Sequence, residues 1–376
     1  YLYKIYQQYE ALILNENKQD GAHRTIMHFS YDCAPQQLYD QNLINQSRST
    51  MSDAQFAREF GAIFTDDSAG YFKVSKMAAC TIPDGEGQSV EVVGNRKDEY
   101  ILSFDPSWSE SESSDDFAML LIKLNRESNK GIIVHSYALS GANLKTHIKY
   151  MAYVLTHFNI SAVVGDYNGG VQFISSCNES EIFKSKNLSL GVIEADLDKS
   201  KDYERNLARL KNQYNKSERK FVFLRKPTSS WIRLANESLQ SSFDHKRIFF
   251  AGAAMNDDYN NQRKSRVPIE ELKFLKNDTD EKAAKGARMI DFVEHQKDMM
   301  DLIKVQCAMV QITTSSQGTQ SFDLPRNLRR QSGANKARKD SYSALVLGNW
   351  MMNVFYDMES DKISDRQNTF VPMFIS

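Results

Sequence analysis

The chain has 376 residues, 41% hydrophobic and 25% charged, with 17 glycines and 7 prolines. That balance excludes collagen-like, low-complexity and wholly disordered classes and leaves room for about two domains. The 47 Lys and Arg against 48 Asp and Glu give a formal charge of -1, so any nucleic-acid surface must be a local patch. Cys33, Cys80, Cys177 and Cys307 are scattered without a CxxC pair. Neither a zinc cluster nor a disulfide framework is expected, and a reducing compartment fits best. The longest apolar run, Ile248 to Met255, falls short of the roughly 18 residues of a membrane helix. The opening Tyr1 suggests a fragment, a processed product or an incomplete N-terminus.

Residues 1–75 read as a small α+β segment, with a strand pattern at Thr25 to Tyr31 and helical pieces at Pro35 to Asn45 and Ser52 to Phe60. Ser52 followed by Gln55 has the form of a capping box. Gly70 to Lys76 and Thr81 to Val93 read as extended chain around the turn-forming Pro83 to Gly87, which predicts a hairpin bridging two units. Three closely spaced apolar runs follow at Glu99–Ser107, Asp116–Asn125 and Gly131–Leu139, and their short connections predict an antiparallel meander.

Asn143 to Phe158 carries apolar residues at helical spacing, and the run SAVVGD after it reads as a buried parallel strand. A second helix and a strand at Leu188 to Ala195 complete a mixed five-stranded α/β sheet, which FVFLRKP and KRIFFAGA extend around a helix at Ser229 to Ser241. Asn256 to Lys285 reads as a loop with a short helix. Long helices are expected over Ala287 to Val310 and Asp340 to Tyr356.

Asp105 ends the first strand, Asp166 the fourth, and Asp340 starts the last helix. Carboxyl ends of neighbouring strands are where α/β sheets build sites. Three convergent carboxylates repel unless a cation neutralises them, and hard oxygen donors suit Mg²⁺ or Mn²⁺. Each acid also has a plainer use. Asp340 suits a helix N-terminus, Asp105 before Pro106 suits a turn, and Asp166 suits a strand end.

The strings SFDPSW, VVGDYNGG and RKDSYSALVLG, in this order, resemble the nuclease domain of the large terminase subunit of tailed bacteriophages and herpesviruses. The segment from Ser49 to Phe72 is similar to the stretch joining a terminase ATPase domain to its nuclease. The resemblance implies an RNase H-like fold over residues 76–376, with residues 1–75 as the C-terminal part of an ATPase-domain and linker region. It implies that Asp105, Asp166 and Asp340 are catalytic and ligate one or, more in keeping with the family, two Mg²⁺ or Mn²⁺ ions. The activity implied is endonucleolytic cutting of concatemeric double-stranded DNA by phosphodiester hydrolysis. Portal protein and small terminase subunit are the implied partners, and host-cell cytoplasm during virus assembly is the implied place. Some members of the family place another acid shortly after the first, whereas here Trp108 and Ser109 follow and the nearest acids are Glu110 and Glu112. The family's final motif often carries paired acids, whereas here Lys339 stands beside Asp340.

A phosphate-cradling loop ending in Lys-Ser or Lys-Thr is absent from the sequence, so no ATPase activity is expected from this chain alone. If the parent protein is a packaging motor, that loop lies upstream of Tyr1. Lys199 to Lys226 carries ten basic residues against Asp202, Glu204 and Glu218, and Arg326 to Lys339 adds six with no acid. Arg225, Lys226, Arg329, Arg330, Arg338 and Lys339 are the DNA-binding candidates, and a solvated helix face is the plainer account. His147 and His157 lack the spacing of a zinc pair, and Trp231 and Trp350 read as core. Two other functions compatible with this sequence are a resolvase-like nuclease of the same superfamily and a noncatalytic module docking on portal or partner.

Overall fold

The computed structural model describes residues 27, 29–33, 35, 40–50, 60, 70–107, 111, 114–194, 220–253, 289–314, 320–325, 328 and 337–368. The chain divides into two compact units, Tyr1–Ala69 and Gly70–Ser376. In the first, helix α1 (Gln41–Thr50) starts where Asp40 accepts a hydrogen bond from the Asn42 amide at 2.8 Å, the usual use of Asp at a helix start. The described part of the helix expected from Pro35 thus begins at Gln41. Tyr31 donates its amide to the Phe60 carbonyl at 2.8 Å and meets the Phe60 ring edge to face. The expected helix at Ser52–Phe60 lies outside the described residues except for Phe60. The described part of the strand pattern at Thr25–Tyr31 is not a strand: Met27, Phe29 and Ser30 are irregular and Tyr31 opens a 3-10 turn, Tyr31–Cys33.

In the second unit, Gly70–Lys76 is not extended throughout, because helix α2 (Val74–Ala79) begins inside it. Lys, Met and Ala favour helix there, and the turn buries Met77 while Cys80 is buried directly after it. Nor is the next segment a hairpin. Thr81 and Ser89 instead form parallel bridges to Phe250 and Gly252, so this chain satisfies its backbone on another edge rather than on itself.

The meander is present as β1 (Tyr100–Asp105), β2 (Phe117–Asn125) and β3 (Lys130–Leu139), paired antiparallel. Helix α3 (Leu144–His157) starts from an Asn143 cap that accepts the Thr146 amide at 3.1 Å. Strand β4 (Ile160–Asp166) lies parallel to β1, and α4 (Tyr167–Glu179), α5 (Glu181–Ser185) and β5 (Leu190–Glu194) follow. Then come β6 (Lys220–Arg225), α6 (Ser229–Asp244) and β7 (Ile248–Phe250). The described chain ends with α7 (Met289–Met309), the ribbon β8 (Gln311–Thr314) and β9 (Gln320–Asp323), and α8 (Asp340–Asn368).

The main sheet has seven strands in the order 5-6-4-1-2-3-7. Only β2 runs against the others. The order 3-2-1-4 with β2 reversed is the RNase H-like arrangement expected above. The structure differs from the five-stranded expectation in one informative way: β6 inserts between β4 and β5, so FVFLR is an interior strand and not an extension.

Alternation along β1 sorts its side chains to two faces. Phe104 packs with Phe117 and Phe173, and Phe117 stacks on His147 of α3, so this face is covered by α3 and α4. Ser103 faces α8, where Gly348 lets the helix approach so closely that a Cβ would stand 2.8 Å from Ser103 Oγ. That contact lays the helix across β1 and β2 and brings Asp340, at its first turn, to the carboxyl end of β1 beside Asp116.

Candidate acidic site

Asp105 follows Phe104 and therefore shares the α8 face with Ser103. Ser343, three residues after Asp340 and so on the same side of the helix, is near enough to Asp105 to oppose the rise of its carboxyl pKa. Asp166 reaches this face by the parallel route. In the β1–β4 register Phe104 is opposite Gly165, so the two acids end neighbouring strands in step. A Cβ on Gly165 would overlap the Phe104 ring, which leaves Gly165 on the far face and Asp166 on the near one.

Two of the carboxylates also accept backbone amides. Asp166 caps α4 by accepting the Asn168 amide at 2.7 Å, and the chain bends sharply behind it at Gly169, φ 82°, a backbone state natural to glycine. Asp340 accepts the Asp116 amide through Oδ2 at 2.7 Å. The plainer uses are thus real, Asp166 as a cap and Asp340 as an acid in the first turn of α8, and they coexist with placement at one edge.

The electrostatics show the crowding. Burial, then the charges of Asp340 and Asp166, push the Asp105 carboxyl well above the ordinary carboxylate range, against smaller opposing effects of Ser343 and Lys339. Burial raises Asp340 to about 7, with the Asp116 amide opposing it and Asp115 and Asp116 adding to it. Burial also raises Asp166, opposed by the Asn168 amide. Carboxyl groups so placed hold protons unless positive charge is supplied.

A ready-made metal cage is not part of this arrangement. Among the described residues, no group of three or more His, Cys, Asp or Glu is disposed to hold an ion as it stands. Asp166 and Asp340 each accept a backbone amide, from Asn168 and Asp116. The donor set nevertheless fits a hard divalent cation. It is all carboxylate oxygen, at least half-buried, and mutually repulsive at Asp105.

Positive residues around the edge fall into three groups. Lys226, directly after β6, is exposed, and its Nζ lies 4.3 Å from the centre of the Tyr167 ring, next to Asp166 in the chain. Lys339 is paired with Asp323 at 3.1 Å and donates to the Phe322 carbonyl at 3.3 Å. Arg338 is paired with Asp116 at 3.3 Å and donates to the Ser114 carbonyl at 2.9 Å. Arg225 corrects the sequence expectation: it is only 3% exposed, and its guanidinium lies 5.2 and 5.5 Å from the Trp231 and Trp350 rings. A buried guanidinium between indoles is a core element, not a tracker of phosphates. Arg329 and Arg330 lie outside the described residues, as does Lys199 to Arg219 of the first basic run.

Asp116 and Ser343 were not singled out by sequence. Asp116 sits in a Ser/Glu/Asp stretch with the look of a solvated loop, yet it is 8% exposed. The available signal for Ser343 is its spacing from Asp340 on one helix face. His147 is a core residue, bonded to the Tyr137 hydroxyl at 2.9 Å. Among the described residues no helix is long and apolar enough to cross a membrane.

No protein-family model matches the chain, and no curated protein matches it. Solved structures align with about three quarters of the chain. The large terminase nuclease from thermophilic phage G20c is 9% identical, covers 73% of this chain with 95% of its own length, and gives a TM-score of 0.37. Its magnesium-bound form gives 10%, 74%, 97% and 0.36. The large terminase of bacteriophage HK97 is 8% identical, with 74% of this chain, 43% of its own and a TM-score of 0.37. These solved structures come from the family that the sequence motifs resemble.

Proposed function

We propose that the chain is a metal-dependent DNA endonuclease of the terminase type, cutting concatemeric double-stranded DNA during viral genome packaging. One observation carries this: Asp105, Asp166 and Asp340, far apart in sequence, end two adjacent parallel strands and begin the helix laid over them. Their raised carboxyl groups support a site suited to divalent cations rather than a set of unrelated turn residues.

Asp105, Asp166 and Asp340 would hold one or two Mg²⁺ or Mn²⁺ ions. When bound, such ions lower the pKa of a coordinated water and offset charge on a leaving oxygen. The protein's own part is to orient. The Asp116 amide orients the Asp340 carboxylate, and Ser343 on the same helix stands by Asp105. Lys226, exposed beside Tyr167, offers a charge to a DNA phosphate approaching Asp166. In this role the chain acts in the host cytoplasm, with portal and small terminase subunit as its assembly partners.

The test is plasmid cleavage with Mn²⁺. Asp166→Ala is expected to abolish nicking while leaving DNA binding in place. Full activity in that variant would remove the assigned site.

A further inference from the structure

The loop after Asp105 returns to the site at its other end. Asp116, the residue before β2, gives its backbone amide to Asp340 Oδ2 at 2.7 Å. Its side-chain carboxylate is ion-paired with Arg338, 3.3 Å from Nε to Oδ1. The same Nε donates to the Ser114 carbonyl at 2.9 Å. Arg338 therefore grips this loop twice, by a backbone oxygen and by a carboxylate, from a position two residues before Asp340.

The grip is a buried one. Asp116 is 8% exposed and Asp340 9%, and the Arg338 side chain is 16% exposed, so the interaction is little screened by solvent. The Asp116 amide in turn takes up Asp340 Oδ2, leaving Oδ1 as the second oxygen of that carboxylate. An acid fixed through one oxygen presents the other in a narrow range of directions, the usual contribution of groups that hold metal ligands from behind. Without Arg338, Asp116 would stand buried beside Asp340 with one fewer opposing charge, and the two carboxylates would push apart.

We infer that Arg338 is a positioning residue: it clamps the 114–116 loop so that the Asp116 amide orients the Asp340 carboxylate, and it does not serve as a DNA-phosphate contact. This rests on the nuclease reading of the three acids.

The experiment compares the full chain with Arg338→Gln and Arg338→Lys. Three quantities are read: half-saturating Mn²⁺ by calorimetry and by cleavage, DNA affinity over a salt series without metal, and hydrogen exchange at the Asp116 amide. Arg338→Gln is expected to weaken Mn²⁺ binding by roughly 10-fold or more, the effect typical of losing a ligand's supporting group. It should speed exchange at Asp116 and leave DNA affinity and its salt slope unchanged. Arg338→Lys keeps the charge but loses the Nε donor, and is expected to recover part of the Mn²⁺ affinity. Unchanged Mn²⁺ affinity with a salt slope smaller by about one would overturn the proposal and make Arg338 a phosphate contact. A general melt in Arg338→Gln that Arg338→Lys does not relieve would make the clamp merely structural and also overturn it. Absence of Mn²⁺ binding by the unaltered chain is a different result, and it defeats the nuclease reading itself.

Discussion

Phe104 occupies the space that a side chain on Gly165 would need, and this interlock lies one residue before both strand-end acids. Two facts of register follow from it. β1 and β4 are held in step with Phe104 opposite Gly165, and the next residue on each strand turns to the opposite face. The placement of Asp105 beside Asp166 thus depends on a residue with no side chain.

Gly165→Ala is therefore expected to cost about 1–3 kcal/mol by overpacking, because the Phe104 ring is itself hemmed in by Phe117 and Phe173. Denaturant unfolding measures the loss. Cleavage with Mn²⁺ should fall further than the folded population does, since any displacement of Phe104 or Gly165 moves both acids. An unchanged unfolding midpoint would show that the ring can yield and that the register is fixed elsewhere.

The crowded carboxyls also set a pH dependence. Burial raises the Asp340 carboxyl to about 7 in the folded chain from an ordinary value of 3.8, and Asp105 is displaced the same way. The folded state thus holds protons that the unfolded state releases. The stabilising contribution is full below about pH 4 and is lost as pH rises through about 7. Thermal unfolding without metal should show this decline, and Asp340→Asn should flatten it. Mn²⁺ should raise the melting temperature more at pH 8 than at pH 5.5, because only ionised carboxylates bind it. A profile for Asp340→Asn parallel to that of the unaltered chain would take Asp340 out of the account.

Much of this site was legible because an acid directly after a short apolar run marks a strand's carboxyl end, as Asp105 and Asp166 do. What sequence could not supply was which face each acid takes and what backs it. The first depends on Phe104 meeting Gly165; the second on Asp116 meeting Asp340 across 224 residues. The insertion of β6 between β4 and β5 was hidden for a related reason, since FVFLR is equally apolar at the edge or in the middle of a sheet. Arg225 was misread because its basic neighbours are visible in the sequence and its two tryptophans are distant partners.

Near the start of β1, away from the acids at its end, Lys123 holds a second buried charge cluster. Its Nζ lies 3.0 Å from Glu91 and 2.6 Å from Asp98, and Glu91 also accepts the Tyr100 hydroxyl at 2.6 Å. Burial raises the Glu91 carboxyl even with Lys123 beside it. Lys123→Met leaves that carboxylate without its cation, and losing one partner of a buried pair costs about 3–5 kcal/mol. The double variant with Glu91→Gln should recover a substantial part of the loss. Additive losses in the double variant would mean that the pair is not coupled.

Arg225 and Lys226 are adjacent in sequence and should separate cleanly by experiment. The Arg225 guanidinium is buried against Trp231 and Trp350, so Arg225→Gln is expected to lower stability by about 1–2 kcal/mol, the worth of a desolvated cation over aromatic rings. DNA affinity per folded molecule should not change. Lys226 is exposed beside Tyr167, and Lys226→Ala should leave the unfolding midpoint within about 0.5 kcal/mol of the unaltered chain. It should weaken DNA binding to all sequences alike and reduce the salt slope by about one, as removal of a single phosphate contact does. If Arg225→Gln reduced the slope and Lys226→Ala did not, DNA would have to reach a guanidinium now enclosed by two indoles. The end of β6 would then have to open before DNA binds, and the closed edge seen here would be a resting arrangement.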